Sequence, residues 1–358
     1  VLREKHFIGL PEMVENYFRG VVRETREILA ELGVNRLQDL IGRTEFLEAI
    51  EGRNDKQRHL DLSPILAKDP VLADRTPYCV VPRNEPFDRG ELAEQMVRDT
   101  LPAIEGKLGG IFHYEIHNTN RSIGARVSGE IARRHGNIDM SSTPVTVKLR
   151  GTAGQSFGVW NAGGLNMELE GDANDYVGKG MAGGRLVIYP PRASRFESRK
   201  TTIIGNTCLY GATGGTLYAS GLAGERFAVR NSGAFAVVEG IGDHGCEYMT
   251  GGVVVVLGST GVNFGAGMTG GCAFVLDLDH GFTDCYNPEM IDIQRVNTDA
   301  TALYLGYLRR IIRDFTDQTG SHWGAELLRD FPRYAGRFWL VKPKASELET
   351  LLDNVRQR

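Results

Sequence analysis

Asp243-His244-Gly245-Cys246-Glu247 offers a base, a carboxylate and a thiol within five residues. Such a set can activate a nucleophile if the side chains come within hydrogen-bond reach and a third group orients the base. Neighbours in a strand project to opposite faces, so the run reads instead as a polar corner holding a buried cysteine. Arg226, Arg230, Asn231 and Glu239 fall in the same region, and with Asp243, His244 and Glu247 they form the expected domain-docking surface. No catalytic, cofactor-binding or metal-ligating residue is expected. Gly178-x-Gly180-x-x-Gly183 and Gly265-x-Gly267-x-x-Gly270 both match the dinucleotide fingerprint GxGxxG. That fingerprint works only where it opens a helix whose N-terminus faces the pyrophosphate. Here Leu186-Val187-Ile188 and Ala273-Phe274-Val275 follow, which is strand, and Gly178-Lys179 lacks the Ser/Thr and spacing of a phosphate loop.

The elements that would position these residues repeat. Gly178, Gly180, Gly183 and Gly184 recur as Gly265, Gly267, Gly270 and Gly271, and Gly214-Gly215 and Gly251-Gly252 also precede apolar runs. Gly163, Gly183, Gly214, Gly233, Gly251 and Gly270 are spaced by 20, 31, 19, 18 and 19 residues. The long interval contains Pro190 to Lys200, a polar insertion that reads as a loop. Gly124-Ala-Arg-Val-Ser128 and Pro144-Val-Thr-Val-Lys-Leu149 continue the phase backwards, giving seven or eight units. Short strands and glycine corners at about 19 residues, without helix between them, predict a mainly β fold: a parallel β-helix of about seven coils. Val253, Val255 and Leu257 are expected to stack into its inner ladder, and glycine to serve the corners.

Composition fits. There are 45 glycines in 358 residues, against a usual ~7%, without collagen's period. A net charge of −4 carries no nucleic-acid footprint, and no run approaches the ~20 residues of a membrane span. A soluble, cytoplasmic chain is expected, with neither nucleic-acid nor membrane partners. Cys79, Cys208, Cys246, Cys272 and Cys285 are odd in number and lack a CxxC spacing, which predicts buried thiols with no disulfide and no metal. The ends differ from the middle. Pro11 to Leu32 reads as an amphipathic helix, Leu37 to Leu47 as shorter helical pieces, Asp61 to Pro82 as a polar crossing, and Glu91 to Leu108 as a helix leading into a strand at Gly110–Ile116. A further helix after Asn297 carries Tyr304, Leu308, Ile311, Ile312 and Phe315 on one face. Residues 1–75 are thus a helical tail, 76–297 the coils, and 298–358 a C-terminal helical segment. Asn120-Arg121-Ser122 matches a glycosylation sequon by coincidence.

Thr152-Ala-Gly-Gln-Ser-Phe-Gly158, Gly171-Asp-Ala-Asn-Asp-Tyr-Val-Gly-Lys-Gly180, Gly224-Glu-Arg-Phe-Ala-Val-Arg-Asn-Ser-Gly-Ala234 and Val238-Glu-Gly-Ile-Gly-Asp-His-Gly-Cys-Glu-Tyr-Met-Thr-Gly-Gly252 resemble the C-terminal GXGXG domain of the glutamate synthase large subunit. Gly9-Leu-Pro11 through Asp39-Leu-Ile-Gly-Arg-Thr44 to His59-Leu-Asp-Leu-Ser63 is similar to the tail of that enzyme's flavin-binding synthase domain. The resemblance implies a right-handed β-helix that is non-catalytic and holds the glutaminase and synthase domains of one polypeptide in register. It implies a parent enzyme that hydrolyses glutamine, channels ammonia and reductively couples it to 2-oxoglutarate, giving two glutamates. That parent uses FMN and an iron–sulfur cluster, with NADPH, delivered by a small electron-supplying subunit, or ferredoxin as electron source. A homo-oligomer is expected. The chain opens with Val1 and has no cysteine before Cys79, so no residue is carried over as nucleophile, cluster ligand or flavin contact, and no cofactor is expected in this chain, which reads as a fragment of a larger polypeptide. The alternatives are a chain resembling the β-helical subunit of formylmethanofuran dehydrogenase and a stand-alone β-helical acyltransferase using His244. The first is less similar at Gln-Ser-Phe-Gly and Asp-His-Gly-Cys-Glu-Tyr-Met, and the second has a six-residue beat that is absent here.

Overall fold

The computed structural model describes residues 9–50, 61–72, 74–80, 90–296 and 301–347. The chain divides into two compact units, Val1–Phe87 and Asp88–Arg358. In the first, helix α1 spans Pro11–Glu31 with proline in its first turn, where a missing N–H is harmless. Gly33 follows at φ +67° and closes it with a bond to the Ala30 carbonyl. Two 3₁₀ turns, Leu37–Leu40 and Thr44–Phe46, come next, then the one-turn helix α2, Ser63–Leu66. Leu29 of α1 is buried, whereas Met13, Val14, Tyr17, Phe18 and Val21 are exposed. The sequence His59–Leu60 and the crossing beyond residue 80 lie outside the described residues.

The second unit is a β-solenoid of about seven turns. Helix α3, Glu91–Glu105, leads into β1, Gly110–Ile116. Helix α4, Ala125–His135, separates it from β2, Val145–Ala153, and β3, Leu165–Ala173. Then come β4, Arg185–Tyr189, the short β5, Thr202–Ile204, and β6, Thr216–Ala223. β7, Ser232–Gly240, β8, Thr250–Val256, and β9, Gly270–Leu276, complete the stack. All of these strands pair in parallel, in chain order, with β5 set beside β3 and β6. After β10, Ile291–Arg295, the chain forms α5, Ala302–Thr319, α6, His322–Arg329, and α7, Phe331–Ala335. It ends the sheet with β11, Phe338–Pro343, which runs antiparallel to both β9 and β10. Among the described residues no helix is long and apolar enough to cross a membrane.

Two expectations need correction. Gly124–Ser128 is not a strand: Gly124 turns the chain at φ +100° and α4 begins. Val127 and Ile131 are four residues apart and both buried, the spacing of one helical face, and a five-residue window is too short to reveal it. The inner ladder is also displaced by one residue. Its rungs are Leu149, Leu169, Ile188, Ala219, Val238, Val256 and Val275, in continuous register. Val253, Val255 and Leu257 point the other way, into a second core shared with Tyr304, Leu308, Ile312 and Phe315 of α5. A strand with a period of two places neighbouring residues on opposite faces. Because α5 buries the outer face as well, β8 is apolar throughout and its pattern does not say which valines face inward.

Candidate functional site

The solenoid turns one of its corners with backbone that glycine alone would adopt freely, yet side chains occupy much of it. Successive corners carry left-handed residues at three alternate positions: Ser156, Gly158 and Trp160, then Tyr176, Gly178 and Gly180. Thr207, Leu209 and Gly211 follow, then Arg226, Ala228 and Arg230, and His244, Cys246 and Tyr248. Such a conformation costs a non-glycine residue about 1–2 kcal/mol. The hydrogen bonds explain its persistence. The first and third residues donate to the following coil, as in His244 to the Val262 carbonyl and Tyr248 to that of Ala266, both at 2.9 Å. The middle residue donates to the preceding coil, as in Cys246 to the Phe227 carbonyl at 2.8 Å. Every corner amide so placed has its bond.

The glycine pairs do a different job, at the start of each strand. A Cβ on Gly270 would lie 2.1 Å from the Thr250 carbonyl oxygen, so the coils could not approach. Gly271 then adopts φ +74°. Met181, Met249 and Met268 occupy matching interior positions and are fully buried. The dinucleotide fingerprints are therefore corner and stacking glycines, and each opens a strand.

His244 and Glu247 do come together. His244 Nδ1 and Glu247 Oε1 are 2.9 Å apart, and Asn263 Nδ2 donates to the same oxygen at 3.0 Å. Arg226 reaches Glu247 Oε2 at 3.3 Å, and Asn287 Nδ2 donates to Asn263 Oδ1 at 2.8 Å. Glu247 is buried under these partners, while Arg226 is exposed. Asp243 secures the next coil, accepting the Val262 N–H at 2.8 Å. Arg230 lies exposed one corner earlier. Asn231 and Glu239 are buried away from this group. Asn231 turns inward to bind the Ala234 carbonyl at 3.0 Å, and Glu239 faces the C-terminal helices.

The thiol takes no part. Cys246 points into the core, and burial pushes its pKa well above the ordinary range. Burial likewise pushes Cys208 and Cys272 up to about 12. A thiol held protonated is a poor nucleophile. The cluster is thus a tied polar corner with an orienting carboxylate and an exposed guanidinium, suited to contact rather than covalent chemistry.

Residues that the sequence pattern did not single out join it. Asn263 occupies the same corner position as His244 one coil later, a correspondence that aligning the repeat would have exposed. Trp160 and Tyr248 are 65% and 56% exposed, each lying over the glycine of the next coil. A Cβ on Gly180 would come within 2.8 Å of the Trp160 ring, and one on Gly267 within 2.5 Å of the Tyr248 ring.

Residues 91–344 match a family model described as the GXGXG motif. Among similar proteins, the NADH glutamate synthase of Schizosaccharomyces pombe is 46% identical over 340 residues, covering 95% of this chain and 16% of its own length. The large chain of the NADPH enzyme of Azospirillum brasilense is 46% identical over 345 residues, covering 96% of this chain and 22% of its own. The chloroplastic ferredoxin-dependent glutamate synthase of Spinacia oleracea is 42% identical over 346 residues, covering 95% and 21%. The chain thus spans a small part of each relative. With its solenoid, its stacked corner glycines and the family match across them, the chain belongs to the GXGXG family.

Proposed function

We propose that this chain is the non-catalytic scaffold portion of a glutamate synthase, holding a glutaminase and a flavin-dependent synthase at a fixed separation so that ammonia passes between them. Residues 1–75 are assigned to the tail of the synthase domain, 76–297 to the coil domain and 298–358 to a helical segment. The observation that carries this proposal is the unbroken register of the inner ladder from β2 to β9, in a chain 42–46% identical to three glutamate synthases. A stack whose backbone bonds all run along one axis deforms little, which is what a fixed spacing requires. The exposed apolar residues of α1 support the same view, since such a stripe is what a larger polypeptide buries. The Arg226–His244–Glu247 corner and the neighbouring Arg230 and Tyr248 supply the docking surface.

The electron donor of the parent is one of the three in the relatives' names, NADH, NADPH or ferredoxin. FMN and the iron–sulfur cluster belong to the remainder of the polypeptide. An acyltransferase centred on His244 has no support, because His244 Nδ1 is engaged by Glu247 and the neighbouring thiol is turned into the core. The test uses the full-length polypeptide with one whole coil removed, residues 232–250. Glutamine hydrolysis should continue while free ammonia accumulates and glutamate yield per glutamine falls. Unaltered coupling would overturn the scaffold role.

A further inference from the structure

Beneath the α5–α6 junction a cavity of about 450 Å³ is lined by Glu239, Leu257, Thr260, Val275, Phe282 and Trp323, with Arg199 and Lys200 contributed by the loop inserted after β4. Glu239 is 1% exposed. Its Oε1 accepts from Ser220 Oγ at 3.0 Å and from the Ser321 hydroxyl at the N-cap of α6. Its Oε2 is buried and has no hydrogen-bond partner, and Thr260 Oγ1, on the same cavity, is also buried without one. A buried polar atom left unpaired is strongly unfavourable, and a carboxylate oxygen more so, so two around one cavity call for an occupant that pairs with them. Arg199 does not meet this need: its guanidinium pairs with Glu197 and stacks 4.5 Å from the Trp323 ring centre. Lys200 pairs with Glu197 as well. Asp277, also on the wall, is taken by Arg295 and Trp339. What stays uncompensated is a single acid under apolar walls.

We propose that this cavity binds a small primary alkylamine, its ammonium donating to Glu239 Oε2 and to the Thr260 hydroxyl while its hydrocarbon lies against Leu257, Val275 and Phe282. A cation is favoured over a neutral donor because it supplies the missing counter-charge, and a short chain over a bare ion because the walls are apolar. Burial holds the Glu239 carboxyl above its ordinary range, against the pull of the Ser198, Ser321 and Ser220 hydroxyls and of Arg199, as expected for an acid lacking a close cation.

Thermal unfolding of the 358-residue chain with n-butylammonium chloride, n-butanol or sodium butyrate at about 10 mM tests the proposal, because a ligand bound only by the folded state raises the midpoint. Saturable stabilisation by n-butylammonium, absent with the alcohol and the acid, is the expected result. Glu239→Gln should weaken it at least about tenfold. Equal stabilisation by butanol would reveal an apolar hole only, and no stabilisation would leave ordered water as the occupant; either overturns the proposal, as does full retention in Glu239→Gln. Amide NMR of the unaltered protein decides the matter even if that variant does not fold. Ligand-induced shifts should centre on Gly258–Thr260 and Gly281–Phe282, and shifts confined elsewhere would refute the assignment.

Discussion

One row of outward side chains crosses the whole sheet and changes character halfway. In register it reads Lys148, Glu168, Val187, Tyr218, Val237, Val255 and Phe274. At its upstream end Lys148 pairs with Glu168 at 3.2 Å, and beside them Arg150 pairs with Glu170 at 3.3 Å. At its downstream end Tyr218, Val255 and Phe274 are buried beneath α5. The inner row one residue away is apolar from end to end. The interior is therefore a condition of stacking at all, whereas the outer row records what covers each coil. A bare face needs charge to stay soluble, and a covered face needs apolar area to hold its helix.

Substitutions can break that contrast at either end. Phe274→Ala should have the largest effect, about 3–5 kcal/mol lost in chemical denaturation, because the ring is fully buried against Tyr304 and Tyr307. A loss below about 1 kcal/mol would mean that α5 is not the cover it resembles. Tyr218→Phe should remove about 1–2 kcal/mol, since the phenol donates to Asp314 of α5 and ties strand to helix. Glu239, on the same covered side, sharpens the contrast through pH. Its folded-state pKa is raised above 4.5, so its contribution to stability is present below that value and is lost as pH rises through the folded pKa. Glu239→Gln should flatten that part of the stability–pH curve, as read from unfolding midpoints, and an unchanged slope would contradict the burial of the acid. Lys148→Ala on the bare face should change stability by no more than about 0.5 kcal/mol, because its side chain remains substantially exposed.

Much of this was legible in the residues. Pro11 and Gly33 bracket α1, the Pro190–Lys200 insertion reads as a loop, and the Tyr304–Phe315 face marks α5. Glycines that must avoid a Cβ clash, such as Gly270, announce the coil spacing directly. Residues that merely tolerate a strained backbone do not: Leu209, Ala228 and Cys246 carry positive φ with side chains that prefer otherwise, because neighbouring coils supply the bonds. Local propensity contains no trace of such a bond. The one-residue error at Val253 has the same origin, since an element that arrives some fifty residues later in the chain decides which valines are outward. Of the polar corner, His244, Glu247 and Arg226 were visible as a cluster. Asn263 and Asn287 came from later coils, and only the winding brings them near.

The reversal of direction at β11 has an evolutionary side. β9 offers its free edge to a strand running the opposite way, which β10 then continues. A copy of a coil could not be spliced in after that point and find a parallel neighbour. Duplication could lengthen this protein only by insertion upstream of β9, so sequence similarity among adjacent coils within β6–β9 is where the history of its growth should be sought.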